Sequence, residues 1–238
     1  MRAALGWVVF LALAVAAYHF GRDYVRRHPE QVPWTALDLR DPVGPFTLRK
    51  LAKLTEQPAL CRALISQAEL EDAPVAPRNS GQCGYADGMR LASEGRSIGY
   101  APSGVVTSCP VAAALSLWER SAVQPAAERH LGARVAVIEH AGSYSCRRLY
   151  GRSEGAFSEH ATADAFDVLG FRLADGRRIS VLRDWTDGGP EAAFLHEVRN
   201  GACPLFATVL SPDYNAAHSD HLHLDMAERG KMGWGVCN

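Results

Sequence analysis

Residues 165–182, AFDVLGFRLADGRRISVL, contain the clearest signal for the fold of this 238-residue chain. Two runs of mostly apolar residues flank Asp175-Gly176, a dipeptide typical of the tight turn between antiparallel strands. The stretch therefore predicts two strands joined by a hairpin. A further strand is predicted near the C-terminus at DHLHLDM, residues 220–226.

Helices are predicted before these strands and once between them. The stretch CPVAAALSLWERSAVQPAAERHLG, residues 109–132, has Pro110 at a first helical position and apolar residues on one face, and Pro125 should divide it in two. PALCRALISQAEL, residues 58–70, has apolar residues at helical spacing, and GGPEAAFLHEVRNGAC, residues 188–203, predicts a late helix. This order predicts an α+β fold, with a largely antiparallel sheet and packed helices.

The N-terminus begins with an apolar run behind a short positive segment. Every residue from Ala3 to Tyr18 is apolar or glycine, and Arg2 precedes the run. Such a run is a signal anchor or a signal peptide, and Ala14-Val15-Ala16 resembles a cleavage site. We favour the uncleaved anchor because aromatic residues lie near both ends of the run. We expect a signal anchor or signal peptide at residues 1–20, a proline-containing stalk at residues 21–56 and a folded domain at residues 57–238.

Charge and cysteine usage bear on partners and compartment. The formal net charge of −1 lacks the basic excess of a nucleic-acid-binding protein, so we expect no nucleic-acid partner. Arginines just after the apolar run would favour a cytoplasmic domain by the positive-inside rule. Six dispersed cysteines without Cys-x-x-Cys spacing argue instead for disulfides in an oxidising compartment. We therefore expect an inner-membrane anchor with a periplasmic domain, or secretion to the periplasm.

Six cysteines allow fifteen complete sets of disulfides, and the sequence favours one of them. A bond within the turn-rich segment after the first helix would support residues that have little apolar sequence. A second bond would tie the strand near residue 146 to the late helix, and a third would join the two ends of the domain. The expected pairs are Cys83–Cys109, Cys146–Cys203 and Cys61–Cys237.

The stretch HSDHLHLD, residues 218–225, places three of the nine histidines within eight positions. In a strand, alternation puts His221, His223 and Asp225 on one face. Two imidazoles directed to one cleft suit a metal ion, although a chance polar run on a surface loop remains an alternative. A catalytic zinc ion needs three protein ligands and an open position. The histidine pair therefore requires at least one more ligand from elsewhere in the chain.

The stretch SEHATADAFDV, residues 158–168, is the best upstream source of ligands. It resembles the Ser-x-His-x-x-Gly-x-Ala-x-Asp signature of D-alanyl-D-alanine metallopeptidases. DHLHLD resembles the closing His-x-His of the superfamily that joins those enzymes with lysostaphin-type peptidases and the hedgehog signalling domain. The order of VQPAA, GSYSCR, SEHAT, FLHEVRNGAC and HSDHLHLD most resembles the bacterial extensin-like C-terminal domain proteins, over about residues 57–238.

The resemblance implies a role for each residue of the motifs. His160, Asp167 and His223 would bind Zn²⁺. His221 would transfer protons or stabilise the transition state beside the metal ion. Arg147 would bind a substrate carboxylate or the developing oxyanion, because a guanidinium group is always charged and offers several donors. The implied activity is zinc-dependent hydrolysis of peptidoglycan stem or cross-link peptides in the periplasm. The alternative is a non-catalytic wall-binding or structural module that keeps the metal site.

Four further residues lie near the expected ligands in the sequence. Ser158 is expected to order the ligand loop, and Asp225 to accept the free N–H of a ligand histidine. Ala163 stands where the signature has glycine, and a positive φ there would cost an alanine about 1 kcal/mol. Asp164 either accepts a hydrogen bond from a ligand imidazole or is a solvated loop charge.

Overall fold

The chain combines helices with three β-sheets in a computed structural model that describes residues 2–92, 97–227 and 235–238. Seven α-helices lie in the described ranges: α1 Arg2–Arg27, α2 Thr47–Ala52, α3 Pro58–Gln67, α4 Cys109–Trp118, α5 Gln124–Leu131, α6 Val181–Asp184 and α7 Pro190–Ala202. The strands described are β1 Ala73–Pro74, β2 Arg78–Ser80, β3 Cys83–Tyr85, β4 Met89–Arg90, β5 Gly99–Ala101, β6 Val106–Thr107, β7 Val135–Gly142, β8 Ala165–Leu173, β9 Arg178–Ser180, β10 Thr208–Leu210, β11 Leu222–Asp225 and β12 Val236–Cys237.

The main sheet is mixed, which corrects the expectation of a largely antiparallel sheet. Its strands lie in the order β12-β10-β11-β8-β7-β5, and β9 pairs with β8. The inner pairs are antiparallel, but β5 runs parallel to β7 and β12 runs parallel to β10. The chain passes from β5 to β7 through α4 and α5, and a helical crossover of this kind returns the next strand in a parallel direction. The pairs at both edges of the described sheet are therefore parallel, whereas the pairs at its centre are antiparallel.

The hairpin predicted at Asp175-Gly176 is confirmed. Strands β8 and β9 pair with Gly170 opposite Ser180. Gly176 has a φ of 90°, a conformation that glycine adopts without a steric penalty. The second strand is short because α6 begins at Val181. The strand predicted near the C-terminus is also confirmed, as β11.

The helices predicted around residue 118 contribute to the hydrophobic core, where the Trp118 ring contacts that of Phe171 in β8. Pro110 lies in the first turn of α4, and Pro125 lies in the first turn of α5, so the predicted division is confirmed. A π-helical segment, Glu119–Val123, joins the two helices. The indole Nε1 of Trp118 donates to the Val198 carbonyl at 2.8 Å, which ties this helical layer to α7 within the hydrophobic core.

The N-terminal helix is exposed, whereas the segment that follows it is folded onto the domain. Within α1, Leu5–Arg27 is long and apolar enough to cross a membrane, and none of it is buried. The expected stalk at residues 21–56 is wrong for its later part, because Leu39, Leu51 and Leu54 are buried in the core cluster. Their apolar side chains provide the reason, since a stalk would leave them in water.

All six cysteines form disulfides, but each expected partner is wrong. Helix α3 packs against α4, which brings a cysteine in α3 to the first residue of α4. Strand β12 pairs with β10 and lies near the end of α7, which accounts for the C-terminal bond. The turn-rich segment is joined to the loop after β7 instead. The bonds are Cys61–Cys109, Cys83–Cys146 and Cys203–Cys237.

Candidate metal centre

Two neighbouring strands at the centre of the main sheet carry the first pair of candidate ligands. Strands β8 and β11 are antiparallel, and their register places His223 directly opposite Asp167. The Nδ1 atom of His223 lies 2.9 Å from Oδ1 of Asp167. Leu222 and Leu224 are fully buried in the core cluster, as the alternation of the strand predicts. The pleat of β11 therefore separates the polar face from the hydrophobic core.

His160 reaches the same point from a short 3-10 helix, Glu159–Thr162. The Ser158 side chain precedes this turn and accepts a hydrogen bond from the His160 backbone N–H at 3.4 Å. The imidazole Nε2 lies 3.1 Å from Oδ2 of Asp167. Because Oδ1 of the same carboxylate contacts His223, Asp167 lies between the two imidazoles. Both His160 and Asp167 are buried.

The donor atoms of His160, Asp167 and His223 are close enough together to hold a metal ion. One ligand atom from each lies within 4.8 Å of the others. The second ring nitrogen of each histidine is held by an oxygen: Nδ1 of His160 lies 2.6 Å from the Ser143 carbonyl, and Nε2 of His223 lies 3.0 Å from Oδ2 of Asp225. Such contacts orient the imidazoles of metal sites. Within the described residues, the buried Nε2 of His160 makes no hydrogen bond of acceptable geometry, so its lone pair is available to a metal ion.

The electrostatics of the cluster are dominated by Asp167. Burial would raise the pKa of this carboxyl, but its contacts with His160 and His223 hold the pKa well below the ordinary range. Burial would lower the pKa of His223, but its hydrogen bonds to Asp167 and Asp225 outweigh burial and raise the pKa to about 9. Without a metal ion, the imidazole of His223 therefore carries a positive charge at neutral pH between two carboxylates. A metal cation would replace that proton.

His221 lies next to the cluster and is oriented differently from His223. Its Nδ1 is 2.8 Å from Oδ1 of Asp220, and its Nε2 is 3.6 Å from Oδ1 of Asp167. The Nε2 atom is thus directed towards the ligands but lies beyond hydrogen-bond distance. This arrangement leaves one nitrogen available to a substrate or a water molecule beside the three ligands.

Two further residues lie near the ligands: the sequence does not single out Ser143, and it predicts for His218 only that it flanks and orients the site. The carbonyl oxygen of Ser143 contacts Nδ1 of His160, and no side-chain pattern in the sequence predicts a backbone acceptor. His218 belongs to the quoted HSDHLHLD motif, and its ring lies 5.1 Å from that of His221 and 5.8 Å from that of His223. Burial, with repulsion from the two neighbouring imidazoles, lowers the pKa of His218 to about 4. Its Nδ1 lies 2.8 Å from Oδ1 of Asn215.

Arg147 is exposed and lies in a loop that is bonded to the ligand loop. The Ser158 backbone N–H donates to the Arg147 carbonyl at 3.0 Å, and the Ser145 N–H donates to the His160 carbonyl at 2.8 Å. The disulfide of Cys146 fixes the neighbouring position to β3. The backbone of Arg147 is therefore held beside the first ligand, and the catalytic role of its guanidinium stays a prediction.

The position of the missing glycine does adopt the left-handed conformation. Ala163 has φ 60° and ψ 21° and is fully buried. Its carbonyl accepts from the Ser108 N–H at 2.7 Å and from the Ser143 hydroxyl at 3.1 Å, which holds the backbone in place. Asp164 accepts from the Ser108 hydroxyl at 2.5 Å, a partner that neither expectation for this residue included.

The fold and the donor set define a disulfide-bonded α+β domain with a His-Asp-His cluster, buried at His160 and Asp167 and partly buried at His223, at the centre of a mixed sheet. The family described as extensin-like protein C-terminus matches residues 59–238. The chain belongs to this family, as the order of its motifs predicted. Comparisons with curated proteins and with solved structures find no match.

Proposed function

We propose that the protein is a zinc-dependent peptidase that hydrolyses peptidoglycan stem or cross-link peptides in the periplasm. One observation carries the proposal: Nε2 of His160, the Asp167 carboxylate and Nδ1 of His223 converge, while an oxygen atom orients the other nitrogen of each histidine. Two imidazoles and a carboxylate are a ligand set used by catalytic zinc ions. The resemblance of the motifs to D-alanyl-D-alanine metallopeptidases supports the choice of substrate.

The chemistry divides between the metal and two side chains. When bound, a zinc ion supplies an acidified water and polarises the carbonyl that is attacked. His221 would exchange a proton at Nε2, because its Nδ1 is held by the Asp220 carboxylate. Arg147 would bind a carboxylate of the peptide or the developing negative charge. Asp225 and the Ser143 carbonyl would keep the two ligand imidazoles oriented.

We further infer that α1 remains attached as an inner-membrane anchor and that the domain lies in the periplasm. The 23-residue span is long enough to cross a bilayer, and the three disulfides suit an oxidising compartment.

Zinc content and turnover measured together test the proposal. Zinc content should fall from one ion per chain to a small fraction of that amount in each of the variants His160→Ala, Asp167→Ala and His223→Ala. Each substitution removes one of the three proposed protein ligands. The matched control is His218→Ala, which removes the neighbouring imidazole and should retain zinc. Purified protein would be analysed by mass spectrometry for metal and incubated with muropeptides, with and without a chelator.

The outcomes separate the two functions considered. Zinc retained by all three ligand variants would place the metal elsewhere and contradict the proposed site. A wild-type protein that holds zinc but releases no product from muropeptides or whole sacculi would support the non-catalytic wall-binding module instead.

A further inference from the structure

The junction between α1 and the domain is short and tightly folded. Helix α1 ends at Arg27, and Glu30 is already only 7% exposed. The buried Nζ of Lys50, in α2, donates to the Pro29 carbonyl at 2.9 Å and to the Thr35 hydroxyl at 2.8 Å. Because α2 contributes Leu51 to the core, these bonds connect the end of α1 directly to the domain.

The chain doubles back immediately after the helix. The Thr35 hydroxyl lies within hydrogen-bond distance of the Pro29 carbonyl and 3.1 Å from the Val32 carbonyl. Residues 29–35 therefore form a compact turn beside the end of α1. Trp34, at the outside of this turn, is 76% exposed. A large apolar ring with a polar N–H is held in water next to a helix that could cross a membrane.

The sequence of α1 sets the level of this turn relative to a bilayer. The apolar run ends near Phe20, and the exposed Arg22, Arg26 and Arg27 follow it. Seven helical residues rise about 10 Å, slightly more than the depth of the polar headgroup layer, which is roughly 5–8 Å on each side. The turn after Arg27 should consequently begin at the membrane surface.

We propose that residues 28–36 form a membrane-contact surface, with Trp34 in the headgroup layer of the bilayer that α1 spans. Tryptophan favours this layer because its ring is apolar and its N–H can still reach water or a lipid oxygen. Tyr24, 47% exposed in the last turns of α1, would lie in the same layer, and the arginines complement anionic lipid phosphates. The domain would then be held against the membrane. This inference rests on the proposed retention of α1 and does not depend on the metal chemistry.

Site-specific fluorescence in bilayers tests the contact. All six cysteines are in disulfides, so one added cysteine gives a unique label. The full chain, with Trp34 retained, would carry an environment-sensitive dye at the exposed position Ala36→Cys or, as a control, at Leu182→Cys, which is exposed at 63%. Nanodiscs of phosphatidylcholine and phosphatidylglycerol would contain nitroxide at the headgroup. The dye at residue 36 should be quenched several-fold more strongly than the dye at residue 182. Equal quenching at the two positions would overturn the proposal.

A second label tests the tryptophan itself. A dye at Gln31→Cys should be quenched by headgroup nitroxide while Trp34 is present and less so after Trp34→Ser, because the turn is then no longer held in the lipid. Unchanged quenching would show that Trp34 contributes nothing. Intact-mass measurement of protein purified from membranes provides the remaining check, since a mature chain without α1 would overturn the contact while leaving the peptidase activity to be judged separately.

Discussion

His221 and His223 lie two positions apart, yet their surroundings differ and suit them to different proposed roles. His223 lies between Asp167 and Asp225, with a carboxylate oxygen at about hydrogen-bond distance from each ring nitrogen. His221 has one nitrogen held by Asp220 and the other directed towards the cluster at 3.6 Å from Asp167. The first arrangement suits a ligand, and the second suits a group that exchanges protons with substrate.

This difference predicts a separation of metal binding from catalysis. His221→Ala should retain zinc and the fold, because three protein ligands remain, and should lower kcat by about 10²–10⁴-fold. Arg147→Ala should also retain zinc and lower kcat/KM by about 10²–10³-fold. The measurement is zinc content alongside muropeptide turnover for both variants. Loss of metal from His221→Ala would mean that the ligands have been assigned incorrectly.

The raised pKa of Asp164 predicts that the free energy of unfolding depends on pH. Burial raises its pKa from 3.8 to about 7; the Ser108 hydroxyl opposes the rise, and nearby carboxylates, Glu159 first among them, add to it. Between these two pH values the folded state keeps the proton while the unfolded state loses it. The free energy of unfolding should therefore fall as pH rises through this window.

Unfolding of Asp164→Asn by urea tests this pH dependence, because asparagine cannot ionise. The variant should gain stability relative to wild type between about pH 4 and about pH 7. Ser108→Ala provides a control of opposite sign: it removes a hydrogen bond to the carboxylate, so its pH-dependent loss should exceed that of wild type. Parallel pH profiles for all three proteins would be inconsistent with a buried carboxyl at residue 164.

At the level of elements, the ligand loop is held from two directions. The loop after β7 bonds to it through Ser145 and Arg147, and the bond between Cys83 and Cys146 fixes that loop to β3. The other two ligands lie on β8 and β11, which are paired at the centre of the sheet. Asp167 and His223 thus depend on the sheet, whereas His160 and Arg147 both depend on the loop after β7.

Removing the Cys83–Cys146 disulfide should therefore weaken the support from the loop after β7 and leave the support from the sheet intact. The Cys83→Ser/Cys146→Ser double variant should lose about 2–4 kcal/mol of stability. It should bind zinc less tightly because His160 is less well held, and have lower turnover per bound zinc because Arg147 is less well positioned. The control is Cys203→Ser/Cys237→Ser, which breaks a bond at the end of α7 and the edge strand β12. Similar turnover per zinc in the two double variants would show that the loop needs no such support.

The hairpin and the C-terminal strand β11 were predictable because their signals are local. Asp175-Gly176 has the backbone preference of a turn, and alternation in β11 separates His223 from Leu222 and Leu224 without knowledge of the fold. The disulfide partners and the parallel edge strands depend on which helices pack together, and no local pattern contains that information. The role of the Ser143 carbonyl could not be predicted for a related reason. Every residue has a backbone carbonyl, and only the fold determines which one contacts His160.

For the whole molecule, the orientation in the membrane is the main open prediction. The arginines at the end of α1 favour a cytoplasmic domain by charge, and the disulfides favour the opposite side. We expect a reporter that is active only in the periplasm to be active when fused after Asn238. A cytoplasmic reporter fused at the same place serves as the control. Activity of the cytoplasmic reporter alone would show that the charge bias prevails.

The pairing of β8 with β11 also has a consequence for how the protein is made. His160 and Asp167 precede His223 by more than fifty residues. If the chain is exported from its N-terminus, as we propose, two of the proposed ligands emerge ahead of the third. The three residues can converge only after β11 has emerged and docked beside β8. Metal loading would then follow the pairing of these strands and would draw on the zinc available outside the cytoplasm.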